Sequence, residues 1–177
     1  MYLISIYFDE KTNKIIENLI RKTAEKSGNT FMLDGNVPPH ITVSSFETRR
    51  EDEAIKRLEK CAQKFARGEI QWVSVGSFLP HVIYITPVLN EYLHNMAVDV
   101  FESMNGMEET IIRKCYQPFQ WLPHTTIGKT LSKGEMQAAF EVLQEQFAVF
   151  IGTVTKIGLA KTNPYTELEL FTLKEDK

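Results

Sequence analysis

The sequence predicts a protein of alternating helices and strands that form two similar lobes around one core. Three observations support this prediction: strand and helix patterns alternate with short connections, the order starts again near residue 80, and the offset between matching elements is nearly constant. We expect one bilobal domain over residues 1–177, with lobe 1 at about 1–79 and lobe 2 at about 80–177. A single mixed sheet is the alternative arrangement.

The first half has the order β-α-β-α-β. Alternation over residues 2–8, the β-branched side chains of Ile41 and Val43 after a proline, and the run at 70–75 predict its three strands. Apolar residues at helical spacing between residues 15 and 24, and again between 54 and 65, predict the two helices that connect these strands. Gly28 is a typical residue at which the first helix would end.

The second half repeats this order and adds one strand. Its strands are predicted at 81–86, 121–127, 149–159 and 166–172. Thr86, followed by Pro87, predicts the start of the first helix, since these residue types favour the cap and the first helical position. Ser132 and Glu135 have the spacing of a capping box and predict the start of the second helix. A turn is expected at Thr162-Asn163-Pro164.

Composition excludes several classes of protein. Hydrophobic residues make up 43% of the chain and charged residues 24%, which is typical of globular proteins and not of disordered, collagen or coiled-coil chains. The net charge of -3 argues against a protein that coats long nucleic acids. No apolar run reaches the ~20 residues that span a bilayer, and the N-terminus resembles a strand more than a signal peptide.

Two cysteines, Cys61 and Cys115, are too few for a disulfide framework or a structural zinc site. Together with the absence of a signal peptide, this cysteine usage predicts a protein of the reducing cytoplasm. We expect it to be a monomer that has no membrane contact and no extended nucleic-acid surface.

Two of the four histidines lie in the same local pattern. They belong to Pro39-His40-Ile41-Thr42-Val43 and to Pro123-His124-Thr125-Thr126-Ile127, and they are 84 residues apart, which matches the offset between the two halves. In a strand, residues i and i+2 point to the same face, so each motif presents an imidazole beside a hydroxyl. If a two-fold axis relates the lobes, two imidazoles and two hydroxyls converge on one cleft.

Such a set of side chains suits phosphoryl chemistry without a metal. Histidine has a pKa of ~6.5, so a pair can supply one base and one acid near neutral pH. Threonine hydroxyls can donate hydrogen bonds to the non-bridging phosphate oxygens. The same cleft could instead bind nucleotides or RNA ends without turnover, and this alternative stays open. A metal site is disfavoured, because no further ligand lies at a suitable spacing from either histidine.

The paired motifs resemble those of the 2H phosphoesterase superfamily, particularly its RNA 2',3'-cyclic phosphodiesterase and 2'-5' RNA ligase-like members. The resemblance implies an α+β fold with mainly antiparallel sheets that line a central cleft. It also implies action, without a metal or other cofactor, on 2',3'-cyclic phosphates or 2'-5' linkages at RNA ends or in small nucleotides. By this resemblance His40, Thr42, His124 and Thr126 are the catalytic residues. In relatives that form 2'-phosphates, the role of base would belong to His124 and the role of acid to His40.

Three further residues are candidates for substrate binding. Similar bacterial enzymes often carry an arginine beside the second motif, where this chain has Lys129. Phe119 and Trp121 lie in or beside the longest irregular stretch, and loops of that length often cover substrates. Either ring could stack on a nucleobase, although packing in the core is the alternative for both.

Overall fold

A computed structural model describes residues 1–162 and 164–175 of the chain. Within these residues the elements are β1 (Tyr2–Phe8), α1 (Glu10–Ser27), α2 (Phe31–Asp34), β2 (His40–Glu47), α3 (Glu51–Ala62), β3 (Gly68–Phe78), β4 (Val82–Pro87), α4 (Glu91–Asn105), β5 (Ile111–Ile112), a 3-10 turn (Lys114–Tyr116), β6 (Thr125–Gly128), α5 (Lys133–Gln146), β7 (Phe150–Lys161) and β8 (Thr166–Thr172). Asn163 of the expected turn lies outside the described residues.

All neighbouring strands of the sheet, among the described residues, pair antiparallel. The strand order is β5-β2-β1-β7-β3-β4-β6, and β8 pairs with β7 beside this path. The prediction of an α+β fold with mainly antiparallel strands is therefore confirmed. β3 and β4 pair with each other across residues 79–81, where the boundary between the lobes is expected. The boundary itself stays a prediction.

The strand β7 joins the two parts of the sheet. Its later residues, from 156 to 161, lie between β1 and β8, whereas its first residues, from 150 to 154, pair with β3. Val154 is in register with Phe8 of β1 on one side and with Gly68 of β3 on the other. Both parts of the sheet therefore depend on this single strand.

The helices connect elements from the two halves of the sequence. α1, from the first half, packs against α5 and β6 of the second half, and α4 of the second half packs against β2 and α3 of the first. α5 contacts β4, while α3 contacts β7 and β8. Each end of the sheet is thus covered by one helix from each half. Among the described residues, no helix is both long and apolar enough to cross a membrane.

Trp72 on β3 forms the centre of the aromatic core. Its side chain is fully buried, is stacked on Phe150 at 4.7 Å between ring centroids, and meets the edge of Phe8 at 5.0 Å. Its indole N–H donates to Thr125 Oγ1 at 3.3 Å. Aromatic side chains bury the largest areas in a core, so this group ties β1, β3, β6 and β7 together and fixes where the second histidine motif begins.

The prediction that α4 begins at Thr86 and Pro87 is wrong. Both residues belong to the end of β4, where Pro87 is in register with Trp72. α4 begins only at Glu91. Asn90 is the N-cap, because its side chain accepts a hydrogen bond from the amide of Leu93 at 3.0 Å.

Two other predicted helix ends are confirmed. Ser132 and Glu135 form a complete capping box at the start of α5, in which each side chain bonds the other residue's backbone amide. Gly28 ends α1 with a φ of 78°, a left-handed conformation that glycine adopts without strain.

Candidate active site

His40 is the first residue of β2 and is only partly accessible. Its Nδ1 atom donates a hydrogen bond to the carbonyl oxygen of Pro38 at 2.8 Å. A carbonyl can only accept, so this bond fixes the hydrogen on Nδ1 and leaves Nε2 as the basic nitrogen of the neutral ring. Pro39 favours the extended backbone that leads into the strand.

His124 has the same anchor in the second half of the chain. It immediately precedes β6, and its Nδ1 atom donates to the carbonyl oxygen of Leu122 at 2.9 Å. The ring of each histidine therefore donates a hydrogen bond to the carbonyl group of the residue two positions earlier, and a proline is the residue between the two. The repeated Pro-His pattern in the sequence thus corresponds to a repeated ring orientation, in which both Nε2 atoms are available for proton transfer.

Both histidines have lowered pKa values, for partly different reasons. Burial lowers the pKa of both imidazoles below the ordinary value, because the charged form loses solvation. Positive charge on His124 and on Lys129 lowers the pKa of His40 further. Neutral rings are therefore favoured at pH 7 for both histidines. β2, which begins with His40, also contacts β6, which begins directly after His124, so the two motifs lie in neighbouring parts of the structure.

The hydroxyl groups of the two motifs differ in their surroundings. Thr42 is 8% exposed, and its Oγ1 atom lies 3.3 Å from the Oγ of Ser5 on β1. Thr126 is more accessible and is in register with Tyr84 on β4. Thr125 points to the opposite face of β6, where its hydroxyl accepts from Trp72 in the core. The expected alternation along the second motif is therefore present.

Aromatic rings surround both histidines. The ring of Tyr7 on β1 is 6.1 Å from that of His40, between centroids, and Tyr7 is directly opposite His40 in the strand register. The ring of His124 lies 5.2 Å from Tyr84 and 4.8 Å from Phe78, which meets it edge to face. Phe78 is 43% exposed, so one aromatic surface beside His124 is open to solvent.

The two tyrosines, Tyr7 and Tyr84, cannot be recognised as part of the site from the sequence pattern. Each lies between apolar residues of a predicted strand, which is a weak signal for a ring that faces the cleft instead of the core. Each ring lies over a glycine of the next strand. A Cβ at Gly76 would be 2.5 Å from the ring of Tyr84, and a Cβ at Gly158 would be 3.2 Å from the ring of Tyr7. These glycines leave the space that the two rings occupy beside the histidines.

The three expected substrate-binding residues occupy different environments. Lys129 directly follows β6, its ammonium group is 5.8 Å from the ring centroid of Phe31, and its positive charge contributes to the lowered pKa of His40. Trp121 is 8% exposed, and its indole N–H donates to the backbone carbonyl of Thr42 at 2.9 Å. Phe119 is 89% exposed and lies against His94 of α4. A role in substrate binding stays a prediction for all three.

The described residues contain no cluster of three or more His, Cys, Asp and Glu side chains that could hold a metal ion. Both cysteines are free thiols: Cys61 is buried in the core, and Cys115 is exposed in the 3-10 turn.

Comparison with protein families gives one match that spans most of the chain. A family model described as the 2'-5' RNA ligase superfamily matches residues 17–165. Comparison with curated protein sequences gives no significant match.

Several solved structures have a similar fold. TT0787 of Thermus thermophilus is 15% identical, with a TM-score of 0.61 over 99% of both chains. LigT of E. coli, crystallised with 3'-AMP, is 15% identical, with a TM-score of 0.57 over 98% of both chains. Usb1 of Kluyveromyces marxianus is 10% identical, with a TM-score of 0.50 over 98% of this chain and 97% of its own. At these identities the similarity establishes the fold.

Proposed function

We propose that this chain, which belongs to the 2'-5' RNA ligase superfamily of 2H phosphoesterases, hydrolyses 2',3'-cyclic phosphates at RNA ends or in small nucleotides. The single observation that carries the proposal is the matched anchoring of His40 and His124. In each ring Nδ1 is held by a backbone carbonyl, and Nε2 is left to exchange a proton with a substrate. Because β2 and β6 contact each other next to these rings, we expect the rings to provide one base and one acid for the same phosphorus.

In the proposed reaction, His124 acts as the base and His40 as the acid. Nε2 of neutral His124 removes a proton from a water molecule, whose oxygen attacks the phosphorus of the cyclic ester. The bond between phosphorus and the 3'-oxygen breaks, and Nε2 of protonated His40 delivers a proton to that oxygen. The products are a 2'-phosphomonoester and a free 3'-hydroxyl, and the two histidines then exchange a proton with solvent to return to their starting states.

Three other side chains would stabilise the charge that develops on the phosphate. The hydroxyls of Thr42 and Thr126 donate to its non-bridging oxygens, and Lys129 supplies a positive charge from the end of β6. A lysine acts as a point charge, whereas an arginine would grip two oxygens at once. We therefore expect Lys129 to tolerate phosphates of different geometry.

The same geometry allows ligation. When the 5'-hydroxyl of a second RNA takes the place of water, its attack on the cyclic phosphate forms a 2'-5' linkage and releases the same 3'-hydroxyl. The E. coli LigT structures in complex with ATP, 3'-AMP and NADP+ support a nucleotide or an RNA end as the ligand of this fold. We propose hydrolysis as the main activity and 2'-5' ligation as a second activity, which is reversible because the 3'-hydroxyl can attack the new linkage and re-form the cyclic phosphate.

The test measures hydrolysis of adenosine 2',3'-cyclic phosphate by the wild type and by the variants His40→Ala and His124→Ala, with the product assigned as a 2'- or 3'-phosphate. We expect the wild type to form the 2'-phosphate and each variant to lose about 10²–10⁴-fold in kcat, since general acid and general base catalysis each contribute about that much. Binding of adenosine 2'-monophosphate should change only a few-fold.

A matched control is available in His81→Ala. The Nδ1 of His81 also bonds a backbone carbonyl, that of Leu131 at 2.8 Å, but this residue lies outside both motifs. The control should retain activity. If all three variants retain it, the proposal is wrong. If the wild type binds nucleotides but turns none of them over, the chain is a binding protein instead.

A further inference from the structure

The serine at position 5 lies directly opposite the threonine of the first motif. In the antiparallel pair of β1 and β2, Ser5 is in register with Thr42, and Tyr7 is in register with His40. Opposite residues in such a pair project from the same face of the sheet. Ser5 and Tyr7 therefore form a second row beside the catalytic pair, and the hydroxyl oxygens of Ser5 and Thr42 are 3.3 Å apart.

Counting hydrogens fixes the direction of this contact when a phosphate is bound. Each hydroxyl has one hydrogen to donate and two lone pairs that can accept. Ser5 is 3% exposed and Thr42 is 8% exposed, so neither has free access to water. If Thr42 gives its only hydrogen to a phosphate oxygen, the bond between the two hydroxyls can form only with Ser5 as the donor.

Each of the two hydroxyls also lies near a phenol. Burial raises the pKa of Tyr7 and of Tyr116, and a nearby hydroxyl lowers it in part, that of Ser5 for Tyr7 and that of Thr42 for Tyr116. Ser5 therefore has two acceptors within reach, and only a hydrogen that it gives to Thr42 leaves the hydrogen of Thr42 for the substrate.

The second motif lacks this arrangement. The residue in register with Thr126 is Tyr84, whose ring lies against His124 and over Gly76, instead of a small residue with a hydroxyl. The two motifs, which look alike in the sequence, therefore differ in how their threonines are held.

We propose that Ser5 is a positioning residue, which donates its hydrogen to Thr42 Oγ1 and thereby directs the hydrogen of Thr42 to a non-bridging oxygen of the bound phosphate. This inference rests on the proposed function, because it assigns a role for the same site. It makes the first motif a preset donor to the phosphate, whereas Thr126 has no hydroxyl-bearing small residue opposite it in the strand register.

The test is a double-mutant cycle with Ser5→Ala, Thr42→Val and the double variant, measured as kcat and KM for adenosine 2',3'-cyclic phosphate. Since an intramolecular hydrogen bond contributes about 1 kcal/mol, we expect Ser5→Ala to reduce kcat by about fivefold to tenfold with little change in KM. In the Thr42→Val background the same substitution should change kcat by less than about twofold, because the hydroxyl through which Ser5 is proposed to act is absent.

Ser45→Ala is the matched control. Ser45 is also a serine of this sheet, it is 2% exposed, and its hydroxyl has no hydrogen-bond partner among the described residues. We expect Ser45→Ala to leave kcat unchanged. Both Ser45→Ala and Ser5→Ala should have melting temperatures close to that of the wild type. An equal loss from Ser5→Ala in both backgrounds, or no loss in the wild-type background, overturns the inference while leaving the proposed function intact.

A second measurement separates failure of the inference from failure of the proposed function. If the wild type does not hydrolyse the cyclic phosphate, the cycle is repeated with the affinity for adenosine 2'-monophosphate, measured by calorimetry. A severalfold loss of affinity with Ser5→Ala, which disappears in the Thr42→Val background, supports the positioning role. Equal affinities for all four proteins refute it.

Discussion

The substitution Gly76→Ala tests whether Tyr84 holds His124, the proposed base, in place. A Cβ at residue 76 would lie 2.5 Å from Cζ and 2.6 Å from both Cε2 and the hydroxyl of Tyr84. Ordinary van der Waals contacts of a Cβ are 3.4–4 Å, so the ring must move by about 1 Å. Tyr84 is 7% exposed and contacts Phe78 and His124, which leaves it little other space.

The magnitude follows from this displacement. Overpacking of a core typically costs about 1–3 kcal/mol of the free energy of unfolding, and a shift of about 1 Å in a catalytic group can cost about 10²-fold in rate. We expect Gly76→Ala to lower the free energy of unfolding by about 1–3 kcal/mol, measured by urea unfolding. We expect it to lower kcat/KM for adenosine 2',3'-cyclic phosphate by about 10²-fold, measured by chromatography of the product.

Two comparisons make the test decisive. Gly134→Ala, near the start of α5, places its methyl group where no atom lies within 4 Å, so it should retain activity and gain about 0.5–1 kcal/mol in stability. In a Tyr84→Ala background, Gly76→Ala should cost almost nothing in stability, since the ring that it strikes is absent. If Gly76→Ala behaves like Gly134→Ala, Tyr84 does not position His124, and the reasoning fails.

Three further predictions concern the same site. Because burial lowers the pKa of both His40 and His124, the bell-shaped profile of kcat/KM should have its maximum below about pH 6.5 and fall toward pH 8; a maximum above pH 8 would contradict the proposed acid–base pair. The free energy of unfolding should decrease as the pH falls from about 7.5 to 5.5, because the unfolded chain binds protons that the folded histidines resist, and His40→Asn should flatten this slope in urea titrations. Phe78→Ala should raise KM for the cyclic nucleotide by about tenfold, since stacking contributes about 1–3 kcal/mol per base; a larger effect of Phe119→Ala would assign the stacking role to that residue instead.

The local features of this fold could be predicted from the sequence. The strand at residues 2–8 and the capping box at Ser132 depend on residues that are close together in the chain, and both are confirmed. The predicted start of α4 is wrong because Thr86 and Pro87 suit a helix cap equally well in isolation, whereas pairing of Pro87 with Trp72 extends the strand instead. Here a contact between distant residues overrides a local preference.

The site could be predicted only as far as its two motifs. The pattern around His40 and His124 repeats at a fixed offset, so their joint role can be inferred from the sequence alone. The neighbours of these residues cannot, because they depend on strand register. Ser5 faces Thr42 only through an irregularity between Ile4 and Ser5, where the register of β1 and β2 shifts by one residue.

Because β7 supports both parts of the sheet, the active site has an order of assembly. A ribosome completes β1, β2, β3 and β4 long before it reaches residues 150–161. Until then β1 and β3 each lack β7, the strand that lies between them. Pairings between residues so far apart in the chain form slowly. We expect nascent chains that end before β7 to carry both histidines without holding them in their final arrangement, so any activity of the proposed site would appear only after β7 is made.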